Sequence, residues 1–96
     1  MIGDGIKQFF DEEGRIKAWP ARQAVQDEVL AYLSTKFEME KDYTEREVNE
    51  IIQSWHTFGD LFLLRRGMVD FGHLCRTRDG SRYWREAKEE NGNAVE

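Results

Sequence analysis

The chain has 96 residues, enough for one small domain, with 40% hydrophobic and 34% charged residues. This balance excludes a disordered chain of low hydrophobicity. No apolar run approaches the ~20 residues that span a bilayer, and the opening residues do not have the pattern of a secretory signal. Because Cys75 is the single cysteine, no internal disulfide can form, and we expect a reducing, cytoplasmic location.

The net charge of −5 is unevenly distributed along the chain. Residues 1–60 carry 13 acidic and 7 basic side chains, whereas residues 61–88 carry 3 acidic and 7 basic ones. Residues 89–96 add three glutamates and are predicted to be a flexible acidic tail after a single domain, residues 1–88. Positive charge is therefore concentrated late in the predicted domain.

A short amphipathic segment, residues 1–18, opens the chain and ends before Pro20. The first long helix is predicted from Pro20 to Lys36, because apolar residues recur there at helical spacing: Val25, Val29, Tyr32, Leu33 and Phe37. A polar connector, residues 38–42, follows where a winged helix often has a short first strand.

The second helix has the clearest start. Thr44 is the predicted N-cap, and Glu47 three residues later completes a capping box. Tyr43 before the cap can pack on Val48, the first residue of an apolar stripe that reaches Trp55. These agreeing local signals predict a stable helix from Thr44 onward.

The third helix begins at a cap supplied by either Thr57 or Asp60. Its buried face is predicted to hold four residues, Leu61, Leu64, Met68 and Phe71. Gly72 suits the position just after the helix, where a positive φ is needed. Gly67 inside the helix indicates close approach of another helix or of a ligand.

A β-hairpin closes the predicted domain. Asp79-Gly80 between two short strands is typical of a two-residue hairpin turn. The predicted pairs place Cys75 opposite Trp84, Arg76 opposite Tyr83 and Thr77 opposite Arg82. The fold is therefore predicted to be α+β and mostly helical: a winged helix-turn-helix with three main helices and a C-terminal two-stranded wing.

Three signatures in this order carry a family resemblance. They are Tyr-Thr-Glu-x-Glu-Val-Asn-Glu-Ile-Ile at 43–52, Gly-Asp-x-x-x-Leu-Arg-Arg-x-Met-Val-Asp-Phe-Gly at 59–72 and Leu-x-Arg-Thr-x-Asp-Gly-Ser-Arg-Tyr-Trp-Arg at 74–85. Over about residues 15–85 the chain resembles the bacterial domain of unknown function numbered two thousand and eighty-seven. The resemblance implies a domain that stands alone or is attached to helix-turn-helix transcriptional regulators, with no functional residue to carry over.

Duplex DNA is the first predicted partner. Arginines of the third helix and wing would neutralise phosphates and read a few bases, and the candidates are Arg65, Arg66, Arg76, Arg78 and Arg82. With so few basic groups, one copy would bind weakly, and a homodimer would double the contact. Alternatively, Arg66 pairs with Asp70, and Arg65 pairs with an acid of the second helix such as Glu47 or Glu50.

Phe62 and Leu63 lie off the buried stripe of the third helix. We expect the N-terminal segment to cover both, since isolated domains rarely expose large apolar patches. If they are exposed, they indicate a protein interface. The leading hypothesis is thus a winged-helix DNA-binding domain of a transcriptional regulator, and the alternative is a protein-interaction or dimerisation module of the same fold.

Enzymatic activity is not predicted. No side chain is placed as a nucleophile beside a base, so no catalytic residue is assigned. His73-x-Cys75 is too sparse for zinc, which usually takes four protein ligands in structural sites. The sequence also has no phosphate-cradling glycine loop, and no cofactor is expected.

Overall fold

The computed structural model describes residues 5–86. A short 3-10 helix (Lys7–Phe9) is followed by three α-helices, α1 (Gln23–Ser34), α2 (Glu45–Ser54) and α3 (Leu61–Asp70). Two short antiparallel strands, β1 (Cys75–Arg76) and β2 (Tyr83–Trp84), end the described part. The predicted fold, a mostly helical α+β chain with a C-terminal hairpin, is confirmed. The predicted tail, residues 89–96, lies outside the described residues.

The core lies where α3 packs against α1 and α2. Fully buried side chains come from all three helices: Val29, Leu30, Leu33, Val48, Ile52, Leu64 and Met68. α1 is shorter than the predicted Pro20–Lys36. Its start is displaced because Arg22 is extended and the Gln26 side chain donates to the Pro20 carbonyl at 2.8 Å, which holds residues 20–22 outside the helix.

Gly67 lies on the side of α3 against which Leu30 of α1 packs. A Cβ atom at this position would lie 3.0 Å from Cδ1 of Leu30 and 3.9 Å from the Trp19 ring. The predicted close approach of another helix is therefore confirmed, and the approaching side chain is Leu30. Any larger residue at position 67 must displace it.

The capping box of α2 forms as predicted. Thr44 Oγ1 accepts from the Glu47 backbone N–H at 3.1 Å, and Glu47 Oε1 accepts from the Thr44 N–H at 2.9 Å. Two backbone donors that the helix itself cannot satisfy are thus paired. Tyr43 and Val48 on either side of the box are both buried, as expected for a hydrophobic staple.

Thr44→Ala is expected to lower the free energy of unfolding by about 1 kcal/mol, because one N-terminal amide loses its acceptor. Urea denaturation followed by circular dichroism measures the change. Thr44→Ser is the matched control and should retain most of the stability, since serine supplies the same oxygen. Equal destabilisation by alanine and serine would contradict the capping role.

Both ends of α3 are defined by local contacts. Asp60, not Thr57, is the N-cap, and its Oδ1 accepts from the Leu63 N–H at 3.2 Å. At the other end Gly72 has φ 82°, as predicted. The His73 N–H donates to the Met68 carbonyl at 2.7 Å and the Gly72 N–H to the Val69 carbonyl at 3.0 Å. These bonds form a Schellman motif that turns the chain into the hairpin.

The hairpin has the predicted register, with Cys75 opposite Trp84 and Arg76 opposite Tyr83. Its turn is wider than the predicted two-residue type. Residues 78–81 form the loop, because the Thr77 N–H donates to the Arg82 carbonyl at 2.9 Å and Gly80 alone has a positive φ. A two-residue type I′ turn would require positive φ at both central residues.

The connector before α2 adds to the hairpin. Tyr43 and Tyr83 exchange two backbone hydrogen bonds of 2.7 and 2.8 Å, and the Glu40 N–H donates to the Arg85 carbonyl at 2.6 Å. The segment therefore pairs where a first wing strand was expected, but through isolated bridges and not as a continuous strand. This pairing fixes the hairpin beside the start of α2.

The N-terminal segment packs against α1 and the end of α2 and does not cover Phe62 of α3. Phe10 meets Tyr32 of α1 edge to face, with ring centroids 4.9 Å apart. The buried Ile16 donates from its N–H to the Trp55 carbonyl at 2.8 Å and accepts from the Thr57 N–H at 2.9 Å. The ring contact joins the segment to α1, and the two hydrogen bonds join it to the end of α2.

Candidate functional site

An open groove of about 610 Å³ lies between α3 and the hairpin, and we call it the α3–hairpin groove. It is lined by Glu45, Phe62, Arg65, Arg66, Val69, Asp70, Arg76, Asp79, Gly80 and Tyr83. Three of the five predicted DNA-contacting arginines line it, as does one of the two candidate interface residues. The fold therefore brings together residues that are up to 38 positions apart, between Glu45 and Tyr83.

Arg65 is held by α2. Its Nη1 donates to Asn49 Oδ1 at 2.6 Å and lies 3.5 Å from Glu45 Oε2, and the side chain is only 16% exposed. The acid of α2 that pairs with Arg65 is therefore Glu45, two residues before Glu47 and five before Glu50, the two examples predicted. A guanidinium engaged in this way orients α3 against α2.

Arg65→Met is expected to lower the free energy of unfolding by about 1–3 kcal/mol, because Asn49 loses a charged hydrogen-bond partner in a half-buried site. Arg66→Met is the matched control one residue away and should change stability by less than about 0.5 kcal/mol. Thermal and denaturant unfolding of the two variants measure the difference. Equal losses at the two positions would contradict the role given to Arg65.

Arg66 lies on the outward face of α3. Its side chain is 85% exposed, and Nε lies 3.6 Å from Oδ2 of Asp70, the partner predicted for it. Phe62, Arg66 and Asp70 follow one another at four-residue spacing and form the exposed stripe of the helix. The stripe therefore combines an aromatic ring, a cation and an anion.

Phe62 is 66% exposed, so the predicted burial of this residue is wrong. The N-terminal segment expected to cover it pairs instead with α1 and the end of α2. The Arg65 guanidinium lies 5.0 Å from the Phe62 ring centroid and supports one side of the ring. Leu63, the other candidate interface residue, is half-buried.

The three wing arginines have different positions. Arg76 donates to the carbonyls of Thr77 and Arg78 at 3.1 and 3.2 Å and lines the groove. Arg78 is exposed in the loop. Arg82 lies 3.7 Å from Asp42 and 5.1 Å from the Trp84 ring, in a second depression outside the groove.

Three carboxylates balance the groove's positive charge, and only Asp70 among them was predicted to lie beside an arginine. Glu45, Asp70 and Asp79 line it beside Arg65, Arg66 and Arg76, three acids against three bases. Hydrogen bonds from Ser81 and Thr77 hold the pKa of Asp79 below its usual value, so this carboxylate stays ionised at neutral pH. The loop sequence Thr-Arg-Asp-Gly-Ser signals this turn, but not its proximity to α3.

Comparison with known proteins places the chain in a family. Residues 15–85 match the family described as "Uncharacterized protein conserved in bacteria (DUF2087)". The chain belongs to this family. The match contains every residue of the α3–hairpin groove. No curated protein and no solved structure matches the chain.

Two further observations concern the part of this DUF2087 member that the structure describes. Within residues 5–86, no group of three or more histidine, cysteine, aspartate or glutamate side chains is arranged to hold a metal ion. None of the helices described there has the length and apolar character needed to cross a membrane.

Proposed function

We propose that this DUF2087 member is a protein-interaction module whose partner binds in the α3–hairpin groove. The observation that carries the proposal is Phe62, a large aromatic side chain that is 66% exposed at the groove. Aromatic residues and arginine are enriched in the centres of protein interfaces, where a few of them contribute most of the binding energy. Phe62 with Arg66 beside it has this composition.

The composition of the groove disfavours a small-molecule ligand. Six of its ten lining residues are charged, whereas pockets for small molecules are lined mainly by apolar and aromatic side chains. A protein partner can satisfy many exposed charges along a rim while it buries one aromatic anchor. The groove is therefore better suited to a protein surface.

The same charges disfavour DNA binding through α3, the leading hypothesis from the sequence. A DNA-reading helix needs a polar and basic outward face, and here that face holds Phe62, a paired Arg66 and Asp70. Glu45 and Asp79 lie in the same groove and would repel phosphates. Arg65 is engaged with α2. These features favour the second of the two predicted functions.

DNA binding through the wing is the second candidate, favoured by the exposed Arg78 and Arg82. A few phosphate contacts would give weak affinity that falls steeply with salt. Fluorescence anisotropy of random-sequence duplex DNA at about 50 and 200 mM salt tests this function, since phosphate contacts respond strongly over that range. Salt-sensitive binding abolished by Arg78→Glu and Arg82→Glu would support it.

Phe62→Ser is expected to abolish partner binding and to change folding stability by less than about 0.5 kcal/mol, because the ring is exposed. Quantitative affinity capture from the native cells compares this variant with wild type. Met39→Ser is the matched control, since Met39 is 48% exposed outside the groove. Partners retained by Phe62→Ser, or lost equally with Met39→Ser, would contradict the proposal.

A further inference from the structure

We infer that the occupant of the α3–hairpin groove is the same groove of a second copy of this chain, in a two-fold symmetric dimer. The inference rests on the proposed function and names its partner. Its first support is that anchor and groove share one face, because Phe62 itself lines the groove. Two copies can then insert their anchors reciprocally in a closed contact. An anchor on the opposite face would generate open-ended chains.

The charge balance of the groove is the second support. Each chain carries a net charge of −5, so two copies repel unless they meet through surfaces that are locally neutral or complementary. Three acids and three arginines line the groove, and it is therefore self-complementary in charge. The outer surface of α2, where Glu47 and Glu50 are exposed outside the groove, would oppose like charges.

The spacing of the exposed α3 stripe defines the geometry of the dimer. The Arg66–Asp70 contact of 3.6 Å joins two exposed side chains, so it is weak and can be exchanged for a contact across an interface. We place the two α3 helices antiparallel, with the two-fold axis midway between Arg66 and Asp70. Each Arg66 then faces the partner's Asp70. Each Phe62 then extends past the end of the partner's α3 toward its hairpin.

Charge reversal with rescue tests this geometry. Sedimentation velocity from about 1 µM to about 1 mM covers the affinities of small polar interfaces. Wild type is expected to reach twice the chain mass of 11.4 kDa. Arg66→Asp and Asp70→Arg should each be monomeric alone, because both reciprocal pairs become repulsive. An equimolar mixture should restore the dimer, since both pairs are again attractive.

Three results would overturn the inference. They are a monomeric wild type throughout the concentration range, a dimer that survives either reversal, and a mixture that stays monomeric although both variants are folded. Far-UV circular dichroism and thermal unfolding establish folding, and both substitutions are at exposed positions. Phe62→Ser supplies an independent variant and should also yield monomers, whereas Met39→Ser should leave the dimer intact.

Photocrosslinking in the native cells separates this inference from the proposed function. The substitution Phe62→p-benzoylphenylalanine keeps an aromatic group at the groove and reacts with whatever contacts it. A crosslink to residues 61–83 of a second copy supports the dimer. A crosslink to a different protein overturns the dimer and leaves the proposed function standing. Absence of any protein crosslink contradicts both.

Discussion

Leu30→Ala is expected to lower the free energy of unfolding by about 2–5 kcal/mol, because it opens a cavity in the fully buried contact between α1 and α3. Domains of this kind are stabilised by only about 5–15 kcal/mol, so the variant should be close to unfolding at moderate temperature. Gly67→Val should cost about 1–3 kcal/mol by itself, since its Cβ would lie 3.0 Å from Leu30 Cδ1.

The double variant tests whether the contact with Leu30 is the reason that a larger residue at position 67 destabilises the fold. With Leu30 shortened, the valine at position 67 can occupy the vacated space, so Leu30→Ala/Gly67→Val should be at least about 1 kcal/mol more stable than the sum of the single losses predicts. Urea unfolding of all four proteins measures the coupling. Strict additivity would mean that the two residues do not share the space assigned to them. Val29→Ala with Gly67→Val is the matched control, because the three atoms nearest to a Cβ at position 67 belong to Leu30 and Trp19 and not to Val29.

The elements predicted most accurately are those fixed by neighbours in sequence. The α2 capping box depends on Thr44 and Glu47, three residues apart, and it forms as expected. The positive φ of Gly72 likewise follows from the end of α3. Such contacts are determined by backbone geometry over one turn, so a single sequence contains the information needed to predict them.

Contacts between distant elements could not be predicted in this way. The sequence offered Arg65 a choice between DNA and an acid of α2, and only the packing of α3 on α2 brings it within 2.6 Å of Asn49. The exposure of Phe62 depends equally on where the N-terminal segment packs. That segment pairs through Ile16 with the end of α2, an outcome that no local pattern indicates.

The charge of the α3–hairpin groove depends on contacts between distant elements, which a single sequence does not reveal. Its three arginines belong to a segment that is recognisably basic in sequence, because six arginines lie between residues 61 and 85. Its acids were not assigned to the same place, since Glu45 belongs to α2 and Asp79 to the hairpin loop. Folding therefore converts a basic segment into a charge-balanced surface, and this balance is the reason for proposing a protein partner rather than DNA.

At pH 8, alkylation of Cys75 by iodoacetamide is expected to be at least about 10-fold slower in the native protein than in the unfolded chain. Burial, reinforced by the Glu86 carboxylate that accepts from Sγ at 3.1 Å, raises the pKa of this thiol from 9.0 to about 11. Only the thiolate reacts, and a pKa raised by two pH units lowers the thiolate population about 100-fold at pH 8. The greater nucleophilicity of a more basic thiolate offsets part of this loss. Mass spectrometry of timed samples measures the rate.

The pH dependence tests the sign of this effect. Because a raised pKa keeps the thiol protonated, the native rate should rise about tenfold per pH unit beyond pH 9, where an ordinary thiol levels off. Glu86→Gln removes the opposing charge and should increase the native rate. The rate should stay below that of the unfolded chain, since burial is the larger cause. A native rate that levels off near pH 9 would show that burial does not raise the pKa of Cys75.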